Sequence, residues 1–341
     1  MTALLDVRDL RTHFQTEDGF VRAVDGVDFS VESGKTVGIV GESGCGKSVT
    51  CLTIMGLNES RNTTSSGQVL FNGEQILGAR ASTLRALRGK EIAMIFQDPM
   101  TSLNPVHTVG RQLVETVLLH NDISKSQAKQ RAIEALREVG IPRPEQRVDD
   151  YPHQFSGGMR QRAMIAMSMI NDPKLLIADE PTTALDVTTQ AQILALMQKL
   201  QEDHGTAIVM ITHDLGVVAE MAHEVVVMYA AKVIERGTVD AIFTAPQHPY
   251  TWGLLGSLPR LDADVERLVQ IPGQPPSLLH PPQGCRFHPR CAYVMSVCKQ
   301  KVPELMGVSF DPDHEQACFL DEETKAREAA RLYAPLAGAT E

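Results

Sequence analysis

The chain has 341 residues, of which 43% are hydrophobic and 22% are charged, a composition typical of a globular protein with a buried core. A chain of this length corresponds to about two average domains. The formal net charge is −10 and no long basic stretch is present, so nucleic acid is not expected as a main partner. No run approaches the roughly 18–20 apolar residues of a membrane-spanning helix. Charged residues within 1–20 exclude a signal-peptide core, so we expect a cytoplasmic chain that reaches a membrane only through partners.

Strands and helices are predicted to alternate along most of the chain. Strand-like alternation at 3–10 and 24–31 flanks a turn at 17–19, and a buried strand at 35–40 precedes a helix at 47–57. Further helices are predicted at 124–139, 157–170, 187–203 and 214–222, and further strands at 175–179, 207–212 and 225–230. This order predicts an α/β fold built on a parallel sheet.

The character of the sequence changes near residue 250. Residues 271–289 are dense in proline, and hydrophobic periodicity fades there. We therefore predict a first domain at 1–250 and a small C-terminal domain at 251–341. Such a tail is not expected to bury enough apolar surface to order itself without a further constraint.

Residues 41–48 are GESGCGKS, a match to the phosphate-loop pattern, and they lie between a predicted strand and a predicted helix. The glycines allow backbone N–H groups to point at phosphate oxygens, Lys47 adds a charge at the β- and γ-phosphates, and the Ser48 hydroxyl ligates Mg²⁺. ATP contacts are predicted for Gly41, Glu42, Ser43, Gly44, Cys45, Gly46, Lys47, Ser48 and Val49. Cys45 is interpreted as a small residue at a permissive position, with a redox switch as the alternative.

A second carboxylate-bearing segment, LLIADE at 175–180, is an apolar strand that ends in two acids. Asp179 is predicted to hold Mg²⁺, and Glu180 to accept a proton from the water that attacks the γ-phosphate. Two roles require two carboxylates at different distances from the metal ion. Solvated acids at a strand end are the alternative, which the phosphate loop disfavours.

Three further elements follow in a characteristic order. Gln97 lies in AMIFQDP after a strand, FSGGM at 155–159 opens a helix, and His213 ends a strand. With the phosphate loop and the paired acids, they make the chain resemble the ABC ATPase family over roughly 3–245. The resemblance implies a P-loop NTPase core with an inserted helical subdomain at about 98–170.

The resemblance also implies roles for single residues. Gln97 resembles the glutamine that senses Mg²⁺ and the γ-phosphate, and His213 resembles the switch histidine at the γ-phosphate. Ser156, Gly157 and Gly158 resemble the signature motif, which binds the nucleotide of the opposite subunit.

The resemblance assigns two further residues, and the signature departs from the usual family sequence at two positions. Asp186 resembles the D-loop aspartate, and Phe14 is the candidate for stacking on adenine, with Phe20 as the competitor and core packing as the alternative. The usual signature is LSGGQ, and Phe155 and Met159 depart from it here. The serine and both glycines remain, so the anion-binding backbone is expected to work.

Four cysteines are clustered in the tail at Cys285, Cys291, Cys298 and Cys318, with the spacing C-x5-C-x6-C-x19-C. The spacing lacks the close pairs typical of zinc sites and the commonest ferredoxin patterns, so it indicates only a plausible metal site. The tail resembles that of peptide-importer ATPases, the D subunits of dipeptide and oligopeptide permeases, in HPYTWGLLGSLP, IPGQPPSL and the cysteine pattern. That resemblance implies a [4Fe–4S] cluster. Zinc and unligated thiols remain alternatives, with His288 and His314 as structural residues or substitute ligands.

The function implied is that of an ATP-hydrolysing importer subunit, with ATP, Mg²⁺ and the cluster as cofactors. The implied partners are a second homologous ATPase forming a heterodimer, two membrane permeases and an extracytoplasmic peptide-binding protein. The chain would then lie peripherally on the cytoplasmic face of the membrane. Alternatives are an importer for glutathione or a nickel complex, a soluble ABC ATPase, and an unrelated P-loop kinase, against which the signature argues.

Overall fold

The computed structural model describes residues 3–97, 102–183, 185–257 and 271–333. Contacts between Cα atoms divide the chain into two compact units, and each is described by itself. The first unit comprises residues up to 6, 30–36 and 70–211, and the second comprises 7–29, 37–69 and the chain from 212 onward.

A parallel sheet in the order β6-β7-β8 forms the centre of the first unit. Its strands are β6 (Ile92–Ile95), β7 (Leu175–Asp179) and β8 (Ala207–Ile211). Every residue of β7 and β8 is buried, as expected for parallel strands that are covered on both faces. Asp179 pairs with Ile211, so the carboxyl ends of β7 and β8 lie at the same edge.

Helices make up most of the rest of the first unit. They are α2 (Ala81–Leu87), α3 (Val109–His120), α4 (Lys125–Glu138), α5 (Pro144–Arg147), α6 (Gly157–Met169) and α7 (Val187–His204), with a 3₁₀ turn at Pro152–Gln154. Helices α3, α4 and α6 pack against one another. They lie within 98–170, of which 98–101 are outside the described residues; a separate helical subdomain in this interval stays a prediction.

The second unit contains a layer of long strands in the order β2-β1-β4. Strands β1 (Leu5–Thr16) and β2 (Gly19–Val31) form a hairpin, and β4 (Thr63–Phe71) follows later in the chain. The last two residues of β4, Leu70 and Phe71, belong to the first unit and pair there with the short β5 (Glu74–Gln75).

A further sheet in the second unit has the order β3-β9-β10-β12-β11. Its strands are β3 (Thr36–Val40), β9 (Glu224–Tyr229), β10 (Lys232–Thr238), β11 (Met306–Val308) and β12 (Asp311–Gln316). Strands β3 and β9 are parallel, whereas β10 pairs antiparallel with both β9 and β12. Because β3 leads into the phosphate loop, the tail adds strands to the sheet that carries the loop.

The helices of the second unit are α1 (Lys47–Ile54), α8 (Leu215–Met221), α9 (Val239–Thr244), α10 (Pro249–Gly256) and α11 (Glu322–Tyr333), with a 3₁₀ turn at Ser296–Lys299. The core of this unit contains residues from both sides of position 250. Tyr229, Tyr250 and Phe287 pack with ring centroids 4.7–5.5 Å apart. Part of the tail does bury apolar surface, because Phe287 joins the core. The expectation that the tail needs a further constraint to order itself stays a prediction. The domain boundary near 250 stays a prediction.

Most of the predicted elements are confirmed. The strands predicted at 35–40, 175–179, 207–212 and 225–230, and the helices at 124–139, 157–170, 187–203 and 214–222, have ends that differ by no more than one residue. The strands predicted at 3–10 and 24–31 are longer than expected. The helix predicted at 47–57 ends at Ile54, since Gly56 adopts a positive φ of 62° that does not continue a helix.

Candidate nucleotide-binding site

The phosphate loop connects β3 to α1, and two of its glycines are required by close backbone contacts. A Cβ on Gly41, whose φ is 150°, would lie 2.2 Å from the carbonyl oxygen of Met228. A Cβ on Gly46, whose φ is 107°, would lie 2.2 Å from the carbonyl oxygen of Ala23. Any larger residue at either position would force the loop away from these neighbours.

Lys47 places its ammonium group inside the loop. The residue is 6% exposed, and its Nζ donates hydrogen bonds to the carbonyls of Gly41 at 2.7 Å and Glu42 at 3.1 Å. Ser48 and Val49 follow on α1 and are half-buried. A charged amine and a helix N-terminus at one loop form an arrangement that binds phosphate groups.

The remaining loop residues differ in exposure. Ser43 and Gly44 are exposed, whereas Cys45 is buried, and burial raises the pKa of its thiol. The Cys45 carbonyl accepts a hydrogen bond of 2.9 Å from the backbone N–H of Ala231. The interpretation of Cys45 as a small residue at a permissive position stays a prediction.

The paired acids stand at the carboxyl end of β7 in the first unit. Asp179 is buried at 5% exposure, whereas Glu180 is half-buried and has a positive φ of 49°. A non-glycine residue in this region of backbone space costs on the order of 1–3 kcal/mol, so surrounding contacts must hold it there. The Glu180 N–H donates to the Ile211 carbonyl at 2.9 Å, which provides one such contact.

The Glu180 carboxylate is also held by two side chains. Its Oε2 accepts hydrogen bonds from Gln97 Nε2 at 2.9 Å and from Thr183 Oγ1 at 2.8 Å. The structure thus brings together Gln97 and Glu180, which lie 83 residues apart in the chain. The contact of Thr183 with Glu180 was not predicted from the sequence. The position of Thr183, three residues after Glu180, was the signal that could have indicated it.

The signature segment forms the start of α6. Ser156 is the N-cap, and its Oγ accepts a hydrogen bond of 3.3 Å from the N–H of Met159. Ser156 and Gly157 are exposed, whereas Phe155 is only 2% exposed, so phenylalanine acts here as a core residue. The two departures from the usual signature therefore leave the exposed helix start formed.

Gln161, one turn further along α6, is a second residue that the sequence analysis missed. It is 2% exposed, and its Nε2 donates to the backbone carbonyl of Pro181, which directly follows Glu180. The hydrogen bond connects the signature helix to the segment that bears the paired acids. A polar residue on the buried stripe of α6 was the signal that could have identified it.

Asp186, His213 and Phe14 are the remaining predicted site residues. Asp186 caps α7 by accepting from Thr189 N at 2.9 Å and Thr189 Oγ1 at 2.7 Å, and these bonds lower its pKa. His213 is exposed just before α8, and Phe14 is half-buried on β1. Phe20, the competitor, is 55% exposed on β2. Their roles toward ATP stay predictions.

The four tail cysteines lie in the second unit. Cys285 and Cys291 pack against the aromatic core, Cys298 is buried, and the Cys285 N–H donates to the Cys298 carbonyl at 2.8 Å. Burial raises the pKa of Cys285, and it raises the pKa values of Cys291 and Cys318 to about 11. Within the described ranges, no group of three or more His, Cys, Asp or Glu residues could hold a metal ion.

The two tail histidines have other partners. His288 Nδ1 lies 2.9 Å from the Cys285 carbonyl, and His314 Nε2 lies 2.8 Å from the buried carboxylate of Glu235. These contacts favour structural roles for both rings. In the part of the chain that the structure describes, no helix is both long and apolar enough to cross a membrane.

Comparison with protein families gives two matches. Residues 24–183 match the ABC transporter family, and residues 234–298 match the family described as oligopeptide/dipeptide transporter, C-terminal region. The two matched segments contain the phosphate loop, the paired acids and three of the four tail cysteines.

Similar proteins cover nearly the whole chain. A probable peptide ABC transporter ATP-binding protein of Sinorhizobium fredii is 52% identical over 94% of this chain and 96% of its own length. The dipeptide transport ATP-binding protein DppD of Lactococcus lactis is 52% identical over 91% of this chain and 89% of its own. The oligopeptide transport ATP-binding protein OppD of Bacillus subtilis is 53% identical over 91% of this chain and 87% of its own.

Solved structures share the fold. A dimeric structure of the ATP-binding cassette MJ0796 in a post-hydrolysis state, bound to ADP and Pi, has a TM-score of 0.62 and 25% identity. The match covers 69% of this chain and 98% of that one, so the common fold is the α/β P-loop core. The chain therefore belongs to the ABC transporter ATPases, among the ATP-binding proteins that carry the oligopeptide/dipeptide transporter C-terminal region.

Proposed function

We propose that this chain is the ATP-binding subunit of an importer for dipeptides or oligopeptides, and that its ATP hydrolysis drives uptake through partner permeases. The observation that carries the proposal is the extent of the relationship. Relatives named for peptide, dipeptide and oligopeptide transport are 52%, 52% and 53% identical over at least 91% of the chain, including the tail. The tail match separates this chain from ABC ATPases in general.

The test of the cargo is uptake by cells from which the gene has been deleted and then restored. Labelled dipeptides and longer peptides should enter only when an intact copy is present, while an amino acid with its own carrier should enter equally in both strains. Unchanged peptide uptake, with reduced uptake of glutathione or of a nickel complex, would assign the chain to one of those cargoes instead.

For the hydrolytic step, we propose that Glu180 accepts the proton of the attacking water while Lys47 holds the β- and γ-phosphates. Ser48, Asp179 and Gln97 would hold Mg²⁺, which neutralises phosphate charge when bound. Two hydrogen bonds to Glu180 Oε2 restrict the rotation of its carboxylate, which supports its use as a positioned base. His213 is proposed to contact the γ-phosphate, and the loop residues from Gly41 to Val49 to surround the phosphates.

The other predicted residues serve a pair of ATPase chains in this proposal. Ser156, Gly157 and Gly158 would bind the nucleotide of a second, homologous ATPase, Asp186 would lie at the pair's interface, and Phe14 would stack on adenine. The exposed start of α6 supports the first role, because its N–H groups are accessible to a partner's ligand. Two permeases and a peptide-binding protein complete the complex, which holds the chain on the cytoplasmic face of the membrane.

We also propose that Cys285, Cys291, Cys298 and Cys318 hold a [4Fe–4S] cluster. Cys285 and Cys291 pack against the same aromatic core, and the Cys285 N–H donates to the Cys298 carbonyl at 2.8 Å, which supports a common location for three of the thiols. A single zinc ion requires sulfurs about 2.3 Å from one point, and the described residues include no group of that kind.

The metal test is elemental and spectroscopic analysis of protein purified without oxygen. Iron and sulfide in stoichiometric amounts, with absorbance near roughly 400 nm, would support the cluster. Stoichiometric zinc without iron would replace it with a zinc site, and the absence of any metal would reject a metal site altogether.

A further inference from the structure

The second residue of the phosphate loop, Glu42, is held by Arg290 of the tail and by Tyr250, which directly precedes the tail. The Glu42 carboxylate forms a two-pronged ion pair with Arg290, whose Nη1 and Nη2 lie 2.6 and 2.9 Å from its two oxygens. The Glu42 N–H donates to the hydroxyl of Tyr250 at 2.8 Å. Both the side chain and the backbone of Glu42 are therefore positioned by residues more than 200 positions away.

Arg290 is itself fixed in place. Only 5% of its side chain is exposed, and its Nε donates to the Pro272 carbonyl at 2.8 Å. Its Nη1 donates to the Tyr229 hydroxyl at 3.3 Å, and its guanidinium carbon lies 5.8 Å from the centroid of that ring. Hydrogen bonds to Glu42 raise its pKa, so the residue remains charged. A buried, fully engaged guanidinium cannot follow Glu42 if the loop moves.

A second contact reaches the loop through the β9–β10 turn. Arg286 forms an ion pair with Asp25 and donates to the Ala230 carbonyl. The next residue, Ala231, donates to the Cys45 carbonyl at 2.9 Å. Ala230 and Ala231 have positive φ values of 45° and 70°, which alanine adopts only when neighbours impose them.

The two arginines are sequence neighbours of two tail cysteines: Arg286 follows Cys285, and Arg290 precedes Cys291. We propose that Arg290 is a positioning residue for the phosphate loop, through which the cysteine-bearing tail sets the affinity of the chain for ATP. Glu42 transmits the effect, because its carbonyl accepts the hydrogen bond from the Lys47 ammonium. The proposal rests on the assignment of the loop as the ATP site.

Loss of Arg290 should act on binding more than on the chemical step. The Glu42 carboxylate loses its partner, the Glu42 peptide is no longer held in one orientation, and the Lys47 ammonium loses a fixed acceptor. We expect Arg290→Gln to raise the Kd and the KM for ATP by about tenfold, a magnitude usual for coupling between two sites. The kcat should change much less, because Glu180 and Gln97 are unaltered.

The experiment uses the complete transporter and measures ATP affinity by calorimetry together with KM and kcat. Arg290→Gln, Glu42→Gln and the double variant form a cycle, in which the double variant should bind ATP no more weakly than either single variant. Arg290→Lys should restore binding only in part, because lysine cannot form the two-pronged pair. Arg236→Gln is the matched control, since Arg236 forms a similar pair with Glu315 at 2.8 and 3.0 Å without contacting the loop.

The outcomes separate this proposal from the ATP-site assignment. If Lys47→Ala weakens ATP binding while folded Arg290→Gln binds with the wild-type Kd and KM, the positioning role is refuted and the ATP site stands. Additive effects in the cycle, or an equal loss of affinity in Arg236→Gln, would also refute it. If Arg290→Gln does not fold, the ATP affinities of Glu42→Gln and Tyr250→Phe decide the question instead. Each variant removes one contact to Glu42 and leaves Arg290 in place, so wild-type affinity in both would refute the positioning role.

Discussion

Replacement of Glu180 by glutamine removes the proposed proton acceptor and preserves the shape of the side chain. In the first unit, Oε2 of Glu180 accepts hydrogen bonds from Gln97 at 2.9 Å and from Thr183 at 2.8 Å. A glutamine keeps one oxygen that can accept these bonds, so the strained backbone at this position should persist. Lys47 and Ser48 are unchanged, and ATP affinity should not change measurably.

The expected loss in turnover is that of a general base, about 10²–10⁴-fold. This corresponds to about 2.7–5.4 kcal/mol of activation free energy, at about 1.36 kcal/mol for each factor of ten. Thr183→Val removes one hydrogen bond to the carboxylate and leaves the proposed base itself in place. The loss of turnover in Thr183→Val should therefore be smaller than in Glu180→Gln. The two variants together distinguish the effect of the base from the effect of the hydrogen bond that positions it.

The assay is phosphate release by the purified complex in lipid discs, with ATP affinity measured in parallel by calorimetry. Arg236→Gln again serves as the control for nonspecific damage. Turnover of Glu180→Gln close to that of the wild type, at unchanged ATP affinity, would refute the assignment of Glu180. A loss of turnover that follows a loss of affinity would instead show that the residue contributes to binding.

Three further predictions concern the loop, the signature and the tail. Lys47→Ala should weaken ATP binding by about tenfold or more, since a charge-assisted contact to the phosphates is lost; unchanged affinity by calorimetry would contradict the loop assignment. Turnover should require a second, different ATPase chain, because the signature at 155–159 is proposed to act on the partner's nucleotide; activity of this chain alone that is independent of its concentration would contradict this. Glu235→Gln should lower the free energy of unfolding by about 1–3 kcal/mol, measured by denaturant titration, because the buried carboxylate accepts from the N–H groups of Gln247 at 2.5 Å and His248 at 3.0 Å. Wild-type stability would show that these bonds contribute nothing.

The phosphate loop and the strands around it could be predicted because their signals are local. A glycine pattern between an apolar strand and a helix specifies the loop regardless of what surrounds it. The sequence does not show why residue 41 must be glycine, because the clash that excludes a side chain there involves Met228, far along the chain.

The paired acids were predicted from the end of an apolar strand, but their local arrangement was not. The positive φ of Glu180 and its hydrogen bond to Thr183 depend on how β7 and β8 end together. Sequence patterns contain the type and spacing of residues and not the backbone conformation that long-range contacts impose.

The tail was the least predictable part, since a strand that it adds to the sheet has a polar buried face. Strand β12 is DPDHEQ, which has no apolar alternation, yet His314 and Gln316 on this strand are buried. A search for hydrophobic periodicity does not detect a strand whose buried face is polar. The pairing of Glu235 with Gln316 also joins residues from distant parts of the chain.

The polar character of these contacts supports a role in positioning more than in stability. Buried ion pairs such as Arg290 with Glu42 and Arg286 with Asp25 gain little net stability, because desolvation offsets most of the attraction between the charges. The apolar packing of Tyr229, Tyr250 and Phe287 supplies the attachment of the tail in a less directional way. An ion pair fixes one position of the tail, since a shift of the tail would leave a buried charge without its partner. Phe287 thus attaches the tail through apolar packing, whereas Arg286 and Arg290 fix its position. Through its ion pair with Glu42, Arg290 also fixes the position of the phosphate loop relative to the tail.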